Sequence, residues 1–319
     1  MQVSPLAEDQ VRAFLAERHA EPVEALERLG GGSWSSAWGY RVGDRQLVAR
    51  FGPDVAWYEA DRAAMAFAGP NLPVPTVHEI GTAPNGQAYA ISERHCGRFL
   101  EDTPADLAAA LAVTLTELLS ALRCVPATDD RVLWHQPDAP ALSWRQWLAG
   151  GLVDDPDQKV HGWNAQLAAD PVLAPLAAAV SKRTGALLQA CPERRDLVHG
   201  DLLHGNALVS PDAERLEAVF SWKCSVRGDF LYDAAWCSFW APWHEGIAAV
   251  DPAARVLGAS SLRADPAALI DAAVRHHCYE LHIGYVHLGW NIWTGNRPDL
   301  DATAKRLSEV LERGPLPLD

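Results

Sequence analysis

The chain has 319 residues, 49 % of them hydrophobic, and a formal net charge of −14. That length allows one large domain or two lobes with a sizeable core, and that composition excludes a disordered chain. The negative charge argues against a nucleic-acid partner and suits either plain solubility or a cationic small-molecule substrate.

Ser4-Pro5 reads as a helix cap followed by the first helical residue, with the helix running to about Ala20. The segment before it has neither the basic start nor the apolar core of a secretory signal, so a cytoplasmic protein is expected. Strand-like runs follow at 24–29, 37–42 and 46–51, with glycines 30–32 in a turn and Gly43-Asp44 as a hairpin. A helix over 57–68 ends before Leu72-Pro73-Val74-Pro75, and 77–80 and 88–92 read as two more strands. From Thr103-Pro104 onward helices dominate: Leu107, Leu111, Leu115, Leu118 and Leu122 recur at helical spacing. Further helices are predicted at 143–151, 160–168 and 171–190, then from Asp265-Pro266 toward Trp290 and over 300–313. No apolar run reaches about 18 residues, so no membrane span is expected. The cysteines include no CxxC pair, which points to isolated thiols in a reducing compartment.

The segment His199-Gly200-Asp201-Leu202-Leu203-His204-Gly205-Asn206 sets an acid and an amide five residues apart in a loop between apolar runs. Phosphoryl transfer to a hydroxyl needs a carboxylate that orients the nucleophile and takes its proton, and an amide oxygen suits a hard Mg²⁺ ion. Asp201 is the candidate base and Asn206 a candidate metal ligand, with His199 structural and His204 a loop or substrate contact. About fifteen residues later, where a second metal ligand belongs, the chain reads Phe220-Ser221-Trp222, a hydroxyl in place of a carboxylate.

Other candidates surround this loop in sequence. Gly31, Gly32, Ser33 and Ser35 form a turn whose N–H and hydroxyl groups suit phosphate oxygens, although it matches neither GxGxxG nor a Walker loop. Arg50, on the next strand but one, is placed to clamp phosphates; its partner is an acid of the following helix, Glu59 first and Asp61 second. Asp229 in Gly228-Asp229 is expected to hold the loop by accepting its backbone hydrogen bonds. Trp240, Trp243, Glu245, Glu280 and Asn291 are candidates for a polar–aromatic substrate pocket, with core packing the alternative for each tryptophan.

Val48-Ala49-Arg50, Leu72-Pro73-Val74-Pro75, Ala90-Ile91-Ser92, Cys191-Pro192-Glu193, Leu197-Val198-His199-Gly200-Asp201, Asn206, Gly228-Asp229 and Phe239-Trp240-Ala241-Pro242-Trp243 together resemble the aminoglycoside phosphotransferase family, nearest its hygromycin B phosphotransferase branch. The resemblance covers most of the chain. It implies an α+β, two-lobe protein-kinase-like fold: a small β-sheet nucleotide-binding lobe over 1–95 and a larger, mainly helical lobe over 96–319 carrying the catalytic loop and substrate pocket. It also implies ATP or GTP as donor and Mg²⁺, with Asp201 as base, Asn206 on the metal and Arg50 on the phosphates. The backbone of 91–94, including Ser92, Glu93 and Arg94, would be the adenine hinge. One reading is a phosphotransferase moving a γ-phosphate to a hydroxyl of an antibiotic-like small molecule. The other is a degenerate kinase fold that binds nucleotide or small molecule without transfer, or serves other chemistry. Ser221 motivates it, since losing that carboxylate weakens metal binding by several kcal/mol in a low-dielectric cleft.

Overall fold

The computed structural model describes residues 5–30, 35–127, 131–136, 138–257 and 269–316. Contacts divide the chain into two compact units: Met1–Leu100 with Gly205–Pro211 and Arg215–Cys224, and Glu101–His204 with Asp212–Glu214 and Ser225–Asp319. The first unit therefore takes in, besides the N-terminal segment, the residues at the end of the His199–Asn206 loop and just after it.

The first unit is built on an antiparallel sheet of β1 (Val23–Gly30), β2 (Ser36–Val42), β3 (Arg45–Gly52), β4 (Val77–Thr82) and β5 (Ala88–Glu93), in the order β1-β2-β3-β5-β4. The predicted hairpin joins β2 to β3, with Val42 paired to Arg45 and Gly43 at φ 57°, a left-handed conformation that costs glycine little. Strand alternation determines what each face does. On β3, Leu47, Ala49 and Phe51 are buried on one side, so Val48 and Arg50 point to the other.

Helix α1 (Glu8–Ala16) covers the first face, packing Val11, Phe14 and Leu15 on Trp38, Tyr40, Phe51, Tyr89 and Ile91. It starts later than the Ser4-Pro5 pair predicts: the Gln10 side chain accepts the Ala7 N–H at 2.9 Å and closes the first turn there, while Ser4 lies outside the described residues. Helix α2 (Val55–Ala64) covers the second face. Asp54 caps it by accepting the Ala56 N–H at 2.9 Å, and Tyr58 packs with Val77, Ala88 and Ala90.

The remaining strands are β6 (Arg98–Phe99), β7 (Asp196–Val198), β8 (Ala207–Val209), β9 (Leu216–Val219) and β10 (Val226–Gly228). The first unit holds the ribbon β6-β8-β9, and the second holds the pair β7-β10.

Helices make up most of the second unit: α3 (Ala108–Cys124), α4 (Trp144–Gly150), α5 (Asn164–Ala169), α6 (Leu173–Leu187), α7 (Leu231–Trp240), α8 (Glu245–Val250), α9 (Pro252–Leu257), α10 (Ala272–Thr294) and α11 (Arg297–Arg313). The leucine spacing read from the sequence is realised in α3, where Leu111, Leu115, Leu118 and Leu122 are buried. With the turn before it, the segment Ala105–Cys124 is long and apolar enough to cross a membrane, longer than the apolar run expected from sequence. Helix α10 forms the centre of the unit, packed on α6, α7 and α11. The Asp265-Pro266 start predicted for it lies outside the described residues.

Candidate active site

The loop after β7 turns sharply: Gly200 and Gly205 have φ 74° and 78°, and His204, which is not a glycine, has φ 68°. Such a conformation persists only where neighbours hold it. Here the holder is Asp233, in the first turn of α7. Its Oδ2 accepts the His199 N–H at 2.7 Å and its Oδ1 accepts the Gly200 N–H at 2.8 Å. His199 is fully buried and its Nδ1 accepts the Asp201 N–H at 3.2 Å, which assigns the ring proton to Nε2. His204 Nδ1 lies 3.0 Å from Asp201 Oδ1. Asp201 is thus held through both its backbone and its carboxylate.

The holding role expected of Asp229 belongs to Asp233. Asp229 is fully buried, accepts the Tyr279 hydroxyl at 2.8 Å and the Leu231 N–H at 3.2 Å, and pairs with Arg275 Nε at 3.0 Å. It ties α7 to α10 and makes no bond to the loop backbone among those described. Asp229 lies two residues before α7 and Asp233 in its first turn, and among the described bonds only Asp233 meets the loop backbone. Burial pushes the Asp233 carboxyl up to about 7, against the two N–H bonds that pull it down. Asp233→Asn sets an NH₂ against one of those N–H groups. Urea unfolding should show a loss of about 1–3 kcal/mol.

An aromatic wall stands beside His204. Its ring meets Trp236 and Trp240 edge-on at 5.7 and 5.1 Å, and His287 packs on the same pair at 5.2 and 4.9 Å. The indole N–H groups of Trp236 and Trp240 are buried with no hydrogen-bond partner among the described residues. Trp243 continues the wall at 5.3 Å from Trp240 and is exposed, as is Glu245 at the start of α8. Trp236 is a member of the wall that the sequence reading misses, although its i,i+4 spacing from Trp240 puts both on one helical face.

Glu280 and Asn291 do not join this wall. Glu280 is fully buried between α10 and α11, paired with Arg313, with His276 at 3.3 Å and with Arg306 at 3.8 Å. Burial pushes its carboxyl up, but His276 and Arg313 outweigh that and hold it below the usual range. Asn291 is buried and donates to Thr303 Oγ1 at 3.1 Å. Both serve helix packing, because the inward face of α10 is core along nearly its whole length.

In the first unit, Arg50 reaches α2 and pairs with Asp61, not with Glu59. Tyr58 and Asp61 share the sheet-facing side of α2 at i,i+3, whereas Glu59 points outward and pairs with Arg62 at 3.4 Å. Asp61 also makes a second contact, its Oδ1 accepting the Trp222 N–H at 2.7 Å. That bond anchors the short turn Trp222–Cys224 and the residue before it, Ser221, which sits at φ 70°. On the other side, the Asn206 carbonyl accepts the Phe220 N–H at 3.0 Å. Asn206 and Ser221 therefore flank one end of the β8-β9 ribbon.

Ser35, Arg50, Trp57, Tyr58, Asp61, Ser221 and Lys223 line a cavity of about 80 Å³, room for two or three groups the size of water at roughly 30 Å³ each. A larger hollow along α1, lined by Glu8, Asp9, Arg12, Ala13 and Ala16, is a solvated helix face on which no reactive groups converge. Gly31, Gly32 and Ser33 lie outside the described residues.

Two N–H groups of the segment read as the adenine hinge, 91–94, are hydrogen-bonded to neighbouring backbone. The Glu93 N–H donates to the Thr76 carbonyl at 2.9 Å and the Arg94 N–H to the Gln46 carbonyl at 3.0 Å, while Ser92 is paired in register with Val48 and Val77. The Arg94 guanidinium pairs with Glu27 at 2.6 Å. β5 keeps its neighbours to its very end, so the N–H groups of Glu93 and Arg94 are committed inside the sheet.

A divalent cation of the kind this fold implies is held chiefly by carboxylate oxygen. Here the two donors are neutral, an amide at Asn206 and a hydroxyl at Ser221, and the Lys223 ammonium lies 3.5 Å from Ser221 Oγ. The one carboxylate lining the cavity, Asp61, is already bound to Arg50 and the Trp222 N–H. Among the described residues no group of three or more His, Cys, Asp or Glu could hold a metal. These residues do not fit a magnesium ion at Ser221.

The chain is 28 % identical to hygromycin-B 4-O-kinase of Escherichia coli over 98 % of its own length and 88 % of that protein. The crystal structure of aminoglycoside phosphotransferase APH(4)-Ia superposes with a TM-score of 0.81 at 25 % identity, covering 97 % of this chain and 99 % of that one. A thermostable mutant of the same enzyme, solved as a ternary complex with AMP-PNP and hygromycin B, gives 0.78 at 27 % identity, covering 95 % and 98 %. Residues 25–269 match the phosphotransferase enzyme family, a span that runs from β1 past the loop, the aromatic wall and Lys223, and the chain belongs to that family.

Proposed function

We propose that this protein transfers the γ-phosphate of a nucleoside triphosphate, ATP in the first instance, to a hydroxyl of an aminoglycoside-like antibiotic such as hygromycin B. The observation that carries the reading is Asp201, a carboxylate on a loop clamped by Asp233, in a chain of the phosphotransferase family.

In the step itself, the acceptor oxygen bonds to the γ-phosphorus as the bond from that phosphorus to the β,γ-bridging oxygen breaks. The bridging oxygen leaves on the diphosphate with the electron pair. The hydroxyl proton passes to an Asp201 carboxylate oxygen, which orients the nucleophile beforehand. Arg50 supplies a fixed positive charge for phosphate oxygens, braced by Asp61. Trp243 with Glu245, both exposed, suits an ammonium-bearing sugar by cation–π and ionic contact. The reading implies a cytoplasmic protein working on a small molecule.

The test is incubation with γ-labelled ATP and a panel of aminoglycosides, with label transfer and a gain of one phosphate in the product mass as the readout. Ser221 and Lys223 favour the second reading, a family member that binds nucleotide without transfer. Saturable AMP-PNP binding with no labelled product across the panel would establish it.

A further inference from the structure

Lys223 is the group in the first unit to which the phosphotransferase reading gives no role. Its ammonium stands 3.5 Å from Ser221 Oγ and 5.0 Å from the centre of the Trp57 ring, a face that attracts cations. Among the described residues it forms no ion pair with a carboxylate. Arg50 and Asp61 cancel within the same cavity, so Lys223 leaves the lining with one net positive charge where a metal-binding site would carry a negative one. A cavity with that balance attracts phosphate oxygen and repels a divalent cation. Two independent features hold the ammonium there. Trp57, in the first turn of α2, offers its ring, and the Trp222 N–H bond to Asp61 sets the turn that carries both Ser221 and Lys223.

We propose that Lys223, seated between Trp57 and Ser221, takes the place of a divalent cation and binds the phosphate end of a nucleotide directly, so that nucleotide binding needs no metal at Ser221. The proposal rests on the phosphotransferase reading and adds the charge that this chain uses for it. Ser221 then serves as a hydroxyl partner for the ammonium and for a phosphate oxygen.

Calorimetric titration of the full chain with AMP-PNP tests this, in excess magnesium and again in excess EDTA. The wild type is expected to bind in both, with Kd changing by less than about threefold. Lys223→Met should raise Kd in EDTA by about tenfold or more, and Lys223→Arg, which keeps the charge on Trp57, should recover most of it. Combining Ser221→Asp with Lys223→Met should make binding depend on magnesium. Wild-type binding that vanishes in EDTA, or a Lys223→Met protein that folds normally and binds as tightly as wild type, overturns the proposal while leaving phosphotransfer intact. Failure to bind AMP-PNP under either condition overturns the proposal and the phosphotransferase reading together.

Discussion

Asp201→Asn is expected to lower the rate of phosphate transfer to hygromycin B by about 10²–10⁴, or roughly 3–5 kcal/mol of barrier, with AMP-PNP affinity within about threefold of wild type. An asparagine amide cannot accept the hydroxyl proton, so the loss falls on the chemical step. The loop should keep its shape, because the bonds that set it are made elsewhere: His199 and Gly200 donate to Asp233, and the Asp201 backbone N–H donates to His199. Asn also retains an oxygen for His204, which lies 3.0 Å from Asp201 Oδ1. Single-turnover transfer and nucleotide titration on the same preparation separate the two quantities. Transfer within about threefold of wild type would remove Asp201 from the role of base.

Acid should unfold this protein early. Burial pushes the imidazoles of His277, His282 and His287, all on α10, down to about 4, against about 6.5 for an exposed histidine. Their folded-state pKa values are depressed, so between about pH 6.5 and 4 the unfolded chain binds protons that the folded chain refuses. Stability is fully present above that window and falls as pH falls through it. Asp233 acts in the opposite sense: its carboxyl is raised to about 7, so over much of the same range the folded state carries a proton that the unfolded state lacks. Three imidazoles outweigh one carboxyl, and at about 1.4 kcal/mol per proton per pH unit the net loss is roughly 1–3 kcal/mol for each unit of acidification. Urea midpoints at about pH 8, 7, 6 and 5 should be level at first and then drop. His287→Gln keeps a donor for the Ile283 carbonyl, which His287 Nδ1 approaches at 2.8 Å, and should make the drop shallower. A profile that is flat from about pH 8 to 5 would show that these imidazoles titrate normally.

Much of the architecture was legible from near-neighbour pattern. Alternation along 45–52 placed Arg50 opposite the α1-facing side of its strand, the Gly43 turn joined the right strands, and the leucine spacing of 107–122 marked a helix with a buried face. The His199–Asn206 spacing singled out Asp201 as a candidate, and Ser221 stood out as a hydroxyl where a second carboxylate was expected. These are properties of strands, turns and loops whose geometry is governed by residues within a few positions of one another.

What local pattern left open was the choice among chemically equivalent groups. Asp61 rather than Glu59 meets Arg50, because Asp61 lies on the sheet-facing side of α2, and Asp233 rather than Asp229 holds the His199–Asn206 loop, because Asp229, before α7, is taken by Tyr279 and Arg275. The phase of α2 made Asp61 discoverable through its spacing from Tyr58, but Asp233 has its loop partners 33 and 34 residues away, and no local signal records that. Glu280 and Asn291 read as pocket residues because burial is a property of the packed helices around them, not of their own segment. Lys223 shows the same division. Its residue type was plain beside Ser221, but its seat on Trp57, 166 residues earlier in the chain, exists only once α2 and the Trp222–Cys224 turn have packed together.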